Sequence, residues 1–506
     1  MSMPFDRKRF TFIQPDGSKL PVVGSGDQHH AVFQTEAGYT VVRNPESGYF
    51  EYATVSQDHE QLQPSGLRAG TTQPPPPIPP GVRVSRSAAK AKAREGFGLP
   101  PGTSRWEARR RERKAIERTV RAARAAGGIL PAPPQRTTVG DYVGLCLLVQ
   151  FPDVPATISR DEVDAYCNQP GYTGFGNNGS VYDYFLAQSL GELRYKNIVA
   201  PYYTAKHARS YYTNESIPQA TRARELIKEA IDHLESQDFD FDRLTVDEQG
   251  YVYAMNVFYS GPVVNNWAQG LWPHSYRLLT PRTVAPGKAL FDYQITNMGA
   301  ELSLGTFCHE NGHMICDFPD LYDYGYESYG VGIYCLMCGG TSDEKNPAHV
   351  GAYLKYKAGW SGQLTKIKPG SDLSAIAHAD KNEFFVHSKN DQEYFILENR
   401  LASGRDSSLP SSGLAIWHVD EEGDNSNEQM TPTDHYECAL VQADGKTDLE
   451  DRNNNGDASD FFAQGGNAAF GTTTQPASRW WDGTASTLEV TEIGASGNVM
   501  TFRTTA

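Results

Sequence analysis

At 506 residues the chain is about three times the length of a typical single domain, so two to four folded units are expected. Apolar residues make up 39% and charged residues 21%, with 27 Tyr, 22 Phe and 7 Trp, which excludes a wholly disordered, collagen-like or coiled-coil chain. The formal charge of −15, from 46 basic and 61 acidic side chains, argues against wrapping nucleic acid and against an anionic membrane surface.

Residues 1–72 read as a small β-rich unit. Short alternating runs such as Tyr39 to Arg43 and Tyr49 to Ala53 are punctuated by turn pairs such as Asp16-Gly17. Pro74 to Pro80 then predicts an extended polyproline spacer. It opens a linker over 73–138 that carries most of the basic charge. Between Gly81 and Ala125 there are 14 Lys or Arg against four Glu, a net +10 that leaves −25 on the remainder of the chain. Ser104 to Ala126 is rich enough in Ala and Arg for a helix, but Trp106, Ala115, Ile116 and Val120 are too thin an apolar stripe to face a core. An exposed or loosely docked helix is expected.

A folded α/β domain is expected over 139–360. Tyr142 to Phe151 is a continuous apolar run of strand length, as in a strand covered on both faces. Helical patterns follow at 180–190 and 221–236, and Tyr251 to Tyr259 reads as a second strand. Beyond Trp360 helical periodicity gives way to strand-like segments at 394–398, 413–419 and 438–441 and to a hairpin of 488–493 with 499–503. An all-β sandwich over 361–506 is expected. No run of about 18 apolar residues predicts a membrane span, and the start MSMPFDRKRF shows neither the apolar core nor the cleavage site of a secretory signal.

The sharpest motif is His309-Glu310-Asn311-Gly312-His313. Two His at i and i+4 on a helix lie about 40° apart, so both imidazoles reach one cation, while Glu310, about 100° round, can touch a water bound to it. Leu304, Phe307, Cys308, Asn311 and Ile315 form a mostly apolar opposite face, which points the His pair at a cleft. A catalytic zinc needs a third protein ligand. Asp317, Asp320 and Asp323 are on offer, and Pro319 ends the helix so that Asp320 can turn back to the metal.

The segment His309 to Asp323, with Ile333 to Gly340 (IYCLMCGG) and Pro347 to Trp360 (PAHVGAYLKYKAGW), resembles the immune inhibitor A family of secreted bacterial zinc metallopeptidases. Similar support comes from 147–153 (LLVQFPD), 180–185 (SVYDYF), 189–193 (SLGEL), 271–275 (LWPHS), 393–400 (EYFILENR) and 413–420 (GLAIWHVD), so the likeness runs from about residue 139 to the C-terminus. It implies an α+β multidomain protein: a zincin-like catalytic domain with an HExxH helix, a β-sandwich after it and a β-rich prodomain before it. It also implies secretion and a proenzyme, with one catalytic zinc on His309, His313 and Asp320, and Met337 in a Met-turn beneath it. Cys316 stands where the family has a glycine and Asp320 lies one residue further on than usual, which keeps Asp317 as the alternative ligand.

The implied reaction is endoproteolysis of protein or peptide substrates by a metal-activated water, with Glu310 as general base. An extracellular binding protein with a vestigial peptidase site is the alternative reading. Tyr322, Tyr329 and His274 are candidates for a second oxyanion donor. Cys308, Cys316, Cys335 and Cys338 read as structural thiols, or as a disulfide between Cys316 and the Met-turn. A structural calcium loop is suggested by Asp451, Asn453, Asn455 and Asp457 around Gly456, with Asp444 and Asp448 as further oxygen donors. Asp238, Asp240, Asp242 and Asp247 form a weaker acidic cluster.

Overall fold

The computed structural model describes residues 4–70, 78–95, 103–125, 138–368 and 372–505; most of the polyproline run, and with it the expected spacer, lies outside the described residues. The first unit holds two antiparallel three-stranded sheets. One comprises β1 (Phe5–Ile13), β2 (Lys19–Gly26) and β3 (Ala31–Gln34), the other β4 (Val41–Arg43), β5 (Phe50–Val55) and β6 (Leu62–Arg68). Phe5, Phe10 and Phe12 project from β1 into their common core, which also takes in Trp272 from far along the chain. The connector supplies α1 (Arg86–Glu95) and α2 (Arg105–Ala125).

The next elements are β7 (Gly140–Gln150), α3 (Arg160–Asn168), α4 (Val181–Gln188), β8 (Leu193–Thr204), α5 (Arg209–Tyr212), α6 (Thr221–Ser236), β9 (Met255–Tyr259), β10 (His274–Ala285) and β11 (Lys288–Asn297). Their strands form one sheet in the order β10-β11-β9-β7-β8, parallel except for β10 at one edge. The apolar run of β7 is explained by its place between β9 and β8. Cys146 and Leu148 enter the core on one face, and Leu145, Leu147 and Val149 the core on the other. On the first face lie α3, α4 and then α7 (Leu304–Cys316); α6 covers the second. Ser180 begins α4 with a reciprocal cap, its hydroxyl accepting from the Asp183 amide while the Asp183 carboxylate accepts from the Ser180 amide.

After α8 (Ala352–Lys357) no further α-helix occurs among the described residues. Strands β12 (Gln363–Lys366), β13 (Asp372–His378), β14 (Glu383–Ser388), β15 (Glu393–Arg400), β16 (Gly413–Asp420), β17 (Cys438–Leu440), β18 (Glu489–Thr491) and β19 (Val499–Thr505) form two sheets, ordered β12-β14-β15-β16-β17 and β13-β19-β18. Phe385, Phe395 and Ile416 from the first sheet meet Ala375, Met500 and Phe502 from the second in one core. The opposite face of the first sheet, through Ile396, Trp417 and Val419, shares a single core with α7, Met337 and Trp360. The molecule is therefore mixed α/β with several sheets, and its largest core runs continuously across Trp360.

The connector helix is not loosely docked. Arg109 is 9% exposed, and it and its neighbours are held by carboxylates from distant parts of the chain. Charge, rather than an apolar stripe, seats this helix.

Candidate metal centre

All thirteen residues of α7 are buried, including His309, Glu310 and His313. The His pair therefore does not face an open cleft in this arrangement. Asn311, read from the sequence as part of the core-facing stripe, instead joins a buried polar network. Its side chain accepts from the Tyr195 hydroxyl (2.7 Å) and donates to Asn256 Oδ1 (2.9 Å). That network fixes the back of the helix and leaves the imidazoles on the other side.

The helix ends at Asp317, whose backbone is left-handed (φ 55°, ψ 32°). The left-handed turn thus falls one residue after Cys316, and the chain reverses there before Asp320. Asp320 Oδ1 comes to 3.0 Å from His309 Nε2 and 3.2 Å from His313 Nε2, and the two Nε2 atoms are 3.2 Å apart. Asp317 points elsewhere, to Arg109 and Arg113. Asp323 accepts from the amides of Gly325, Glu327 and Ser328, so of the three candidate third ligands the structure brings Asp320 to the His pair.

Backbone carbonyls orient both imidazoles. His309 Nδ1 donates to Leu336 O (2.9 Å) and His313 Nδ1 to Phe318 O (2.6 Å). A carbonyl only accepts, so each Nδ1 carries the hydrogen, and in a neutral ring Nε2 turns a bare lone pair inward. Two such lone pairs and a carboxylate oxygen then converge on one point, a donor set that can hold a metal ion. Burial lowers the pKa of His313, but the Asp320 carboxylate raises it by more, to about 9. Burial would raise Asp320, yet the two imidazoles hold it well below the usual carboxylate range. Both carboxylate oxygens of Glu310 are buried without a hydrogen-bond partner among the described residues.

Met337 lies beneath the helix. A Cβ on Gly312 would come within 2.9 Å of its sulfur, so glycine here permits the close approach. The Met337 loop is pinned from both sides. Arg400 of β15, paired with Asp406 (2.7 Å), donates to Tyr334 O (3.0 Å). On the other side, Gly332 (φ 57°) lies against Asn455 O, which a Cβ would approach to 2.3 Å.

Among the suggested oxyanion donors, Tyr322 is buried near the centre, where burial and the charge of Asp320 raise its pKa well above normal. Tyr329 donates to Asp6 (3.0 Å), and His274 pairs with Tyr293 (3.1 Å) and Trp272 O (2.7 Å). Neither bond leads to the His pair. Sequence reading missed Tyr324, whose hydroxyl donates to Asp320 Oδ2 (2.8 Å). Its spacing of four from the ligand was the available signal. It also missed Trp106, whose indole stacks on the His313 ring with centroids 4.6 Å apart and planes at 23°. From the first unit, the His29 ring stands edge-on to Tyr324 at 6.0 Å, and Asp27 is buried close enough to Asp320 to feel its charge.

All seven cysteines are buried and none forms a disulfide, which fits the reading as structural thiols and not the alternative of a disulfide from Cys316 to the Met-turn. Cys316 faces the connector beside Arg110 and Arg113, whereas Cys338 donates to Tyr329 O and burial pushes the Cys335 thiol up to about 11. In the acidic loop, Asp444, Asp448 and Asp457 converge as a second group able to hold a cation, although the Lys446 ammonium already lies 2.8 Å from Asp444. Of the four loop residues suggested for calcium Asp457 belongs to that group, together with Asp444 and Asp448, the two further oxygen donors suggested. Asp451 accepts from Thr447 (2.5 Å), Asn453 donates to Asp448 (3.0 Å), and the Asn455 carbonyl supports the Met337 loop by accepting from Ile333 N (2.9 Å). Asp247, from the weaker cluster, binds Arg105 and Arg109 instead.

No helix among the described residues is long and apolar enough to cross a membrane. No protein-family model matches the chain, and no curated protein matches it either.

Proposed function

We propose that the protein is a zinc-dependent endopeptidase in a latent form, with a zincin-like catalytic unit between a prodomain and a β-sandwich. The observation that carries this reading is the convergence of His309, His313 and Asp320 beside the unpaired carboxylate of Glu310. A structural carboxylate in a dry interior is normally hydrogen-bonded. One kept free beside two oriented imidazoles is suited to move a proton.

His309, His313 and Asp320 would hold zinc, which when bound supplies Lewis acidity and makes water acidic enough to attack near neutral pH. Glu310 takes the proton from the attacking water and returns it to the leaving amine, so no covalent intermediate with the protein forms. Tyr324, by donating to Asp320 Oδ2, fixes which carboxylate oxygen faces the imidazoles. Met337 packs under the helix and takes no part in proton movement. Latency rests on Trp106 over His313 and on the segment around Asp27 and His29 beside Tyr324, which together fill the space a substrate needs. Removal of the N-terminal unit and connector, by a cut between Arg83 and Arg124, is the activation step of this reading. By its resemblance the protein acts outside the cell.

The test is cleavage of casein by zinc-loaded protein, wild type against Glu310→Ala, with and without phenanthroline. Glu310→Ala is expected to retain zinc and to lose at least about a hundredfold in rate. A Glu310→Ala protein that cleaves casein at the wild-type rate removes the role assigned to this residue.

A further inference from the structure

The way α2 is held on the body of the protein carries information about what could replace it. Arg109 is seated with all three guanidinium nitrogens engaged. Nε and Nη2 donate to Asp317 Oδ1 (2.9 and 2.7 Å), Nη1 donates to Asp247 Oδ2 (3.2 Å), and Nη2 also donates to the carbonyl of Met314 in the last turn of α7 (2.8 Å). The guanidinium lies over the ring of Tyr253, 4.7 Å from its centroid. Asp317, Asp247 and Asp292 are 2%, 6% and 4% exposed; Asp292 Oδ2 accepts from the Arg105 and Trp106 amides, and its buried Oδ1 has no hydrogen-bond partner among the described residues. This is a built recess with an aromatic wall, the negative end of a helix and three carboxylates. It has a cation in it because that cation belongs to the connector.

We propose that Asp247, Asp292 and Asp317 form a specificity socket for an arginine side chain of the polypeptide substrate, which Arg109 fills in the latent protein. The inference rests on the peptidase reading above and on α2 leaving its seat. Three observations give it direction. The socket engages the guanidinium through several nitrogens at once, which a lysine ammonium cannot reproduce, so arginine is favoured over lysine. Departure of α2 takes Arg105 and Arg113 away with Arg109 and leaves the buried carboxylates without their counter-ions, a state that an incoming guanidinium relieves. Finally, Arg109 is three residues from Trp106, about 4.5 Å along the helix, and Trp106 lies on a metal ligand. An extended chain advances about 3.3 Å per residue, so the socket would accept a side chain within one or two residues of the bond being cut.

Two measurements on the full-length, zinc-loaded chain test this. The first uses Arg109→Ala, which removes the guanidinium shared by Asp247 and Asp317 while Arg105 and Arg113 keep their own bonds to them, or Arg109→Gln should Arg109→Ala fail to fold. N-acetylarginine methylamide is expected to raise the unfolding midpoint of that variant saturably, while its citrulline twin, which lacks the charge, does not. The second uses the double variant Trp106→Ala/Arg109→Ala with two otherwise identical peptides carrying arginine or citrulline. A preference of roughly tenfold for arginine is expected, and adding Asp247→Asn is expected to bring the ratio close to one. The ratio is the readout, because a general loss of activity does not move it. No stabilisation by the arginine probe, or equal cleavage of both peptides, overturns the socket and leaves the peptidase reading standing. Stabilisation by arginine with no cleavage of any peptide or of casein overturns the peptidase reading instead, and the socket is then only the anchor of a structural helix.

Discussion

His309 and His313 owe their chemistry to the atoms behind them. Because Leu336 O and Phe318 O take the two Nδ1 hydrogens, both rings offer Nε2 to the same point as Asp320. Substituting Asp320 by Asn removes the one carboxylate of the group that could hold a metal ion, whereas Asp317→Asn alters a residue paired with arginines. Zinc stoichiometry after dialysis is therefore expected to fall sharply in Asp320→Asn and to stay near one ion in Asp317→Asn. The reverse result would reassign the third ligand. At this scale the sequence was informative wherever the chemistry is local. The His spacing follows from helix geometry, and Pro319 places Asp320 after a turn. Trp106 was not legible, because its partner His313 lies 207 positions further along the chain and no local pattern encodes that stacking.

The connector helix α2 shows why an element can be located correctly and its docking misjudged. Its bounds, Arg105–Ala125, match the expected helix almost residue for residue. Its apolar face is indeed thin, and the sequence offered no way to see that Asp247, Asp317, Glu422 and Glu437 would line up opposite it. Glu437 measures the strength of that docking. Burial alone would raise its pKa, but Arg110 and Lys114 hold it down at about 2. A carboxylate depressed on folding stabilises fully above its ordinary pKa of about 4.3, and that contribution is lost as pH falls toward 2. The shift is worth on the order of 3 kcal/mol. Hydrogen exchange in α2 is expected to show protection falling between pH 5 and pH 2.5, and Glu437→Gln is expected to lose much of that protection already at neutral pH. Equal protection at both pH values would remove Glu437 as the anchor. If α2 is also the cover over the metal centre, Trp106→Ala in the full chain should raise the initial rate of casein cleavage severalfold. A lower or unchanged rate would mean that the indole supports the centre and does not block it.

Seen at the level of the whole molecule, the charge split has a spatial counterpart: a +10 stretch in a chain otherwise at −25 rests on acidic side chains of the body. The mixed α/β character and the strand-rich tail were readable in outline, because strand-length apolar runs and the loss of helical period after Trp360 are local signals, but of the five strands of the first sheet only β7 and β9 were read. The continuous core that joins the first sheet to the tail was not readable. It depends on which face of β15 and β16 meets α7, and a period-two pattern buried on both faces does not distinguish the faces.

The first unit shares its aromatic core with Trp272, and the Phe10 ring lies tilted against that indole with centroids 5.7 Å apart. Cutting the connector would therefore sever a covalent tie and leave a noncovalent complex whose two parts still bury that indole. Onset of activity in the nicked protein then follows a dissociation equilibrium, and so depends on concentration. Specific activity should climb as nicked protein is diluted from micromolar to nanomolar and fall again on reconcentration, while an activity per molecule independent of dilution would show that the first unit leaves irreversibly or never obstructed the centre. In such a system proteolysis arms the enzyme, and the volume into which it is released sets how much of it works.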